Sequence, residues 1–253
     1  MTATRHYVTT FDEAWQQFRA RPTTDDATAH VIGQRAREEK SSYIAFLVPV
    51  TGHGIVQATR PVREALTAAG IEEALPSHYL HMTLLGIGFE SAIRTTTGNI
   101  ARIMDRASRA LRDVQPLTLT LKGVNSFGNA AFVEVHDEKN GLPALRDRLV
   151  GVLHQVGLAG FGESALSSVG TTPDGEAERD QADSINAPPY VPHLSLCYYR
   201  EQYPTEKVAE ILEPYRDLEV GTLRMNYVTL AAMPHSEFDH FPPLTRIADL
   251  LIG

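Results

Sequence analysis

The spacing of apolar positions along the chain changes several times, and each change marks an element. In FDEAWQQFRA, Phe11, Trp15 and Phe18 recur at helical spacing, so one face of a short helix can pack. TTDDATAHVIGQRAREEK follows, with an Asp-rich start suited to a helix N-terminus, and residues 1–40 together read as a helical N-terminal extension. SYIAFLVPV, residues 42–50, is aromatic and β-branched and reads as a strand with Pro49 near its end. TGHG reads as a loop, and Pro61 opens a helix, PVREALTAAG, that stops at Gly70. SHYLHMTLLGIG, residues 77–88, reads as a second strand.

A helix is predicted at about 97–113, after which PLTLTLKGV, residues 116–124, alternates apolar and polar side chains as a half-buried strand should. NSFGN makes a turn and AAFVEVHD returns as the partner strand. Residues 142–157 form an amphipathic helix, and YVPHLSLCYY is a further strand after Pro188 and Pro189. A helix at 205–213 precedes one or two strands over 218–234. Strands and helices interleave throughout, which places the chain in the α/β or α+β class. The order strand, helix, strand occurs twice, at 42–50, 61–70, 78–86 and again at 130–136, 142–157, 191–199. This repeat of layout predicts two related lobes within residues 41–253. Residues 163–189 differ from the rest. They hold few large apolar side chains, and six acidic residues face only Arg179. Such a stretch buries too little surface to offset its ordering entropy, so a mobile surface loop is expected, and its position just before the last motif strand suits a lid.

Composition narrows the function classes. Hydrophobic residues make up 43% and charged residues 21%, ordinary for a globular domain, and runs such as Tyr43–Val50 are far too short to span a bilayer. The N-terminus lacks a charged start followed by an apolar core, so no secretory signal is expected. The lone cysteine, Cys197, fits a reducing, cytoplasmic setting and reads as a small packing residue. The formal net charge of −8 argues against a grip on long nucleic acid, which usually needs a basic excess. A phosphorylated ligand is therefore expected to be a small nucleotide or an RNA end. Arg102, Arg106 and Arg109 recur at helical spacing and read as a solvated helix face.

The candidate chemistry lies in two strand motifs, His81-Met82-Thr83-Leu84 and His193-Leu194-Ser195-Leu196. Strand side chains alternate faces, so each motif presents an imidazole and a hydroxyl on one side and leucine or methionine on the other. One H-x-[ST] among ten histidines is close to noise. Two of them, each inside an apolar strand and at matching places of a repeated layout, are not. Cleaving a phosphodiester needs a base for the attacking oxygen and an acid for the leaving one, on opposite sides of phosphorus. Two histidines across a cleft supply both, and two hydroxyls can hold the non-bridging oxygens. This scheme calls for no metal and no cofactor. A zinc site would need a third ligand near one of the histidines, and neither H-E-x-x-H nor a carboxylate cluster is present. A serine nucleophile is equally unsupported, since there is no G-x-S-x-G.

At these residues the chain resembles the 2H phosphoesterase superfamily, which includes the bacterial 2′-5′ RNA ligase-like proteins. YLHMTLLGIG resembles the first motif with its following glycine, PPYVPHLSL the second, and LKGVNSFGNAAFVEV the strand-turn-strand between them. The likeness spans about residues 42–235; the first 40 residues and the acidic loop have no counterpart in it. The resemblance implies a bilobal α+β fold, two antiparallel-sheet lobes with outer helices flanking a central cleft. It implies His81 and His193 as acid and base, in either assignment according to reaction direction, with Thr83 and Ser195 holding phosphate. Ser195 replaces the commoner threonine and keeps the hydroxyl. Tyr190, Tyr199 and Phe127 are the aromatic candidates for stacking a base. The leading expectation is hydrolysis of a 2′,3′-cyclic phosphate or a 2′-5′ phosphodiester. The rivals are 2′-5′ RNA ligation or end processing, and a non-catalytic module that binds a nucleotide second messenger.

Overall fold

The computed structural model describes residues 10–26, 41–71, 75–90, 93, 99–158, 190–234 and 243–253. Two four-stranded antiparallel sheets organise them. The first contains β1 (Tyr43–Pro49), β2 (His81–Phe89), β7 (Tyr227–Met233) and β8 (Thr245–Leu251), in the order β2-β1-β7-β8. The second contains β3 (Leu117–Ser126), β4 (Ala130–His136), β5 (His193–Tyr198) and β6 (Glu219–Met225), in the order β5-β4-β3-β6. The predicted repeat is real in three dimensions. β1 leads through α2 (His53–Ala58) and α3 (Arg60–Ala68) to its antiparallel neighbour β2. β4 leads through α5 (Gly141–Gln155) to its antiparallel neighbour β5. Each motif strand is thus the edge of its sheet, and the two edges lie against each other.

One large core holds the lobes together. One face of each sheet packs its apolar side chains, Ile44, Phe46, Met82 and Leu84 in the first and Leu119, Val133, Leu194 and Leu196 in the second, in a single buried cluster. α4 (Asn99–Leu111) contributes Ile103, Ala107 and Leu111, and α5 contributes Leu142, Leu145, Leu149 and Leu153. Each of the large apolar side chains removed from water adds about 1.5–3 kcal/mol. Arg102, Arg106 and Arg109 point outward as expected, with Arg109 paired to Asp105 one turn back. Gly70 takes a left-handed φ of 68° just past the end of α3, where a side chain would be strained.

The second half of the chain crosses between the lobes. Residues 218–234 form two strands that part at Asn226, β6 joining the second sheet and β7 the first. Chain order alone could not show this, because both strands read alike. α6 (Thr205–Leu212) precedes them. Three sequence expectations change. TGHG is not all loop, since α2 begins at His53 with Gly52 as its N-cap. Ser77–Tyr79 forms a 3₁₀ turn, so the motif strand begins at His81. β8 is an additional edge strand; its exposed residues and a bulge against Leu230/Ala231 leave little alternation to read. The expected helix over residues 23–40 and the loop at 163–189 fall largely outside the described residues.

α1 (Phe11–Arg19) starts from a reciprocal cap, in which Glu13 N–H donates to Thr10 Oγ1 at 3.1 Å and Thr10 N–H to Glu13 Oε2 at 3.2 Å. Its Phe11 and Ala14 pack on the second sheet against Phe127 and Phe132, on the face opposite the main core, while Phe18 is buried in the main core cluster.

Candidate active site

The two histidines stand at the first residues of the facing edge strands. His81 pairs with Pro49 and Thr83 with Leu47, so both side chains lie on one face of β2 while Met82 and Leu84 are fully buried on the other. On β5, His193 pairs with Glu134 and Ser195 with Phe132, with Leu194 and Leu196 fully buried behind. The same local device orients both rings. His81 Nδ1–H donates to the Tyr79 carbonyl at 2.6 Å, and His193 Nδ1–H donates to the Val191 carbonyl at 2.8 Å. In each case the acceptor is the backbone two residues upstream. A carbonyl only accepts, so Nδ1 carries the proton and Nε2 keeps the free lone pair. Both rings therefore present the nitrogen that can take or give a proton.

Burial sets their charge state. His81 is 7% exposed, and its pKa is pushed down to about 4, first by desolvation and further by repulsion from His193 whenever that ring is protonated; the bond to Tyr79 opposes this. Desolvation also lowers His193, against the bond to Val191. Both imidazoles are neutral near neutral pH. Aromatic edges brace them. The Tyr79 ring meets His81 edge-on at 5.3 Å, and Phe127 meets His193 edge-on at 5.0 Å while stacking on Phe132 at 4.2 Å.

The sequence-selected residues separate on inspection. His81 and Thr83 on β2 and His193 and Ser195 on β5 lie on strands in contact, close enough that His193 affects the titration of His81, and Thr83 is half-buried. Phe127 is a brace for His193 and is itself buried. Tyr199 does not reach this face, which corrects its choice as a stacking platform. It is fully buried, and its hydroxyl shares a 2.7 Å hydrogen bond with Ser126 Oγ. The cause is a β-bulge in β5. Ser195 pairs with Phe132 but Cys197 with Ala131, so one extra residue reverses the alternation. Cys197 and Tyr199 turn into the core, and Tyr198 takes the place beside Ser195, to whose hydroxyl its phenol is hydrogen-bonded. A strict period of two misses such a switch.

Tyr190 ties the motifs together. Its hydroxyl donates to the Thr83 carbonyl at 2.7 Å, joining the flank of the second motif to the backbone of the first. Arg146 of α5, 4% exposed, donates from Nε to the Leu84 carbonyl at 2.9 Å and stacks its guanidinium over the Tyr190 ring at 4.1 Å. Sequence reasoning missed Arg146, although an arginine on the buried stripe of α5 was a visible signal. Tyr190, Arg146, Pro192 and His136 border a cavity of about 520 Å³ beside the second motif. Gly86 has a steric reason, because a Cβ there would collide with the Tyr43 phenol. Among the described residues, no group of three or more His, Cys, Asp or Glu side chains is placed to hold a metal ion. No helix among them is long and apolar enough to cross a membrane.

Twinned antiparallel sheets whose facing edges each carry a backbone-anchored imidazole and a hydroxyl have the architecture of the two-histidine phosphoesterases. A family model described as the 2′-5′ RNA ligase superfamily matches residues 53–231, more than half of the chain, and the chain belongs to that superfamily. The fold is similar to the crystal structure of TT0787 of Thermus thermophilus, with a TM-score of 0.57, 16% identity, and coverage of 83% of this chain and 97% of that one. It is also similar to E. coli LigT in apo form and complexed with 3′-AMP, each with a TM-score of 0.54, 14% identity, and coverage of 84% of this chain and 98% of the other. No curated protein matches the chain.

Proposed function

We propose that the protein is a metal-independent phosphodiesterase that hydrolyses a 2′,3′-cyclic phosphate or a 2′-5′ phosphodiester in a small nucleotide or at an RNA end. The observation that carries this reading is the matched pair of rings, each held by Nδ1 to the backbone with Nε2 free and a hydroxyl two residues on. The complex of similarly folded E. coli LigT with 3′-AMP supports a nucleotide as ligand.

In the cyclic-phosphate case, one histidine takes a proton from water at Nε2 as the water oxygen bonds to phosphorus. The bond from phosphorus to the 2′ or 3′ oxygen breaks on the opposite side, and the other histidine, protonated, gives that oxygen its proton. The products are a phosphomonoester and a free hydroxyl, with the two histidines having exchanged protonation states. Thr83 and Ser195 donate to the non-bridging oxygens. Each proton transfer contributes about 10²–10⁴-fold in rate. The free site holds two neutral rings, so one must gain a proton when the anionic phosphate enters. The phosphate charge between the rings supplies the attraction that raises that ring's pKa.

The test is a panel of 2′,3′-cyclic nucleotides, 2′-5′ dinucleotides and cyclic dinucleotides, assayed with EDTA-treated protein. Turnover of the first two groups in EDTA is expected. Loss of all turnover on EDTA treatment, restored by a divalent cation, would overturn the metal-free scheme. Tight binding without turnover would overturn catalysis in favour of a sensor.

A further inference from the structure

We infer that α1 is a wall on substrate length: it closes the stretch of the second sheet next to His193, so that a scissile linkage is accepted only where the strand ends on that side. The inference rests on the proposed function and names which phosphodiesters the site can take.

Strand register defines the surface in question. On the face that carries His193 and Ser195, the next positions across the sheet are Glu134 and Phe132 on β4, then Asn125 on β3. A nucleotide continuing from the scissile phosphate over this lobe would lie on these side chains. None is open. Glu134 is 7% exposed, and Phe132 and Asn125 are fully buried. Further across the same face, Thr118 and Lys122 on β3 and Glu219 and Arg224 on β6 are exposed. The closure is therefore local to the site.

α1 provides it. Phe11 and Ala14 pack with Phe127, Phe132 and Val191, the residues around His193. Asn125 Nδ2 donates to the Phe11 carbonyl at 2.8 Å and to Glu134 Oε1 at 2.8 Å. Arg216 donates to Glu134 Oε1 at 3.1 Å and lies over the Trp15 ring at 4.6 Å. The polar groups that an open groove would offer a nucleotide are thus turned toward one another and toward the helix.

The segment is built into the fold beyond α1. Thr24 N–H donates to the Tyr203 carbonyl at 2.8 Å and Tyr203 N–H to Thr24 Oγ1 at 2.9 Å. Thr23 bridges to Pro204, Thr205 Oγ1 donates to the Arg21 carbonyl, and Asp25 N–H donates to the Gly128 carbonyl at 2.7 Å. Gly128 fits this contact because a Cβ there would collide with Asp25. Residues 10–26 lie outside the 53–231 that the family model matches.

The experiment places one 2′-5′ linkage either at the end or in the middle of a short oligonucleotide and compares kcat/KM. Wild type is expected to prefer the terminal linkage by at least about a hundredfold, within the reach of steric discrimination. The double variant Trp15→Ala/Phe18→Ala, which loosens α1 without touching the histidines, is expected to reduce that preference below about tenfold with terminal turnover retained. Trp15→Ala alone is the milder variant if the double one fails to fold, and the wild-type comparison decides by itself. Equal turnover of terminal and mid-strand linkages by wild type would overturn the wall. So would an unchanged preference in a folded variant whose α1 amides exchange freely. Absence of turnover with every 2′-5′ linkage would overturn the inference; absence of turnover with a 2′,3′-cyclic nucleotide as well would overturn the proposed function.

Discussion

Replacing His81 by Asn tests the electrostatics of the site through stability alone. The Asn amide nitrogen can still donate to the Tyr79 carbonyl, so the anchoring bond is kept while the titratable group is lost. In the unfolded chain His81 titrates near 6.5; in the folded protein burial holds it at about 4. At pH values between these, the unfolded chain binds a proton here that the folded protein refuses. Stability is therefore lost as pH falls through this window, at about 1.4 kcal/mol per pH step of one, and the loss levels off once the folded ring also protonates. The whole window amounts to about 3 kcal/mol. The assay is urea unfolding of wild type and His81→Asn, followed by the fluorescence of Trp15, the chain's one tryptophan. Wild type should lose about 3 kcal/mol more than the variant between pH 7 and pH 4. A wild-type-minus-variant difference that stays constant over this range would refute the burial of a neutral ring at His81.

Three further outcomes are expected. Inorganic phosphate or a 3′-nucleotide should bind at neutral pH with uptake of about one proton, seen as a buffer-dependent heat in titration calorimetry; His81→Asn and His193→Asn should each reduce it, and no uptake would contradict two neutral rings in the free site. Tyr199→Phe should cost about 1 kcal/mol in unfolding free energy through the lost bond to Ser126, with kcat unchanged, whereas a stacking role would raise KM. Gly86→Ala should destabilise by about 1–3 kcal/mol, measured by denaturant unfolding, because the Tyr43 phenol must move to make room.

Much of the architecture was legible because it is written in short-range pattern. The two strand-helix-strand units and both H-x-[ST] pairs follow from alternation and spacing, and their three-dimensional counterparts are the facing edges β2 and β5. What escaped depends on departures from pattern or on distant pairing. The bulge after Ser195 exchanged Tyr199 for Tyr198. The break at Asn226 sends β6 and β7 to different sheets, and nothing in the local sequence names their partners. The carbonyls of Tyr79 and Val191 orient the histidines, yet backbone atoms leave no residue signature. The N-terminal helix was foreseen from Phe11, Trp15 and Phe18, but its seat beside His193 was not, since that depends on Asn125, Phe127 and Phe132 far along the chain.

The proposed mechanism divides the proton transfers of phosphodiester cleavage between two histidines. It is tested most directly by single-turnover hydrolysis of a 2′,3′-cyclic nucleotide by EDTA-treated wild type, His81→Ala and His193→Ala. Wild type should show a bell-shaped pH–rate profile, and each variant a fall of at least about a hundredfold with loss of one limb of the bell. Turnover that survives either substitution at near wild-type rate would contradict that mechanism.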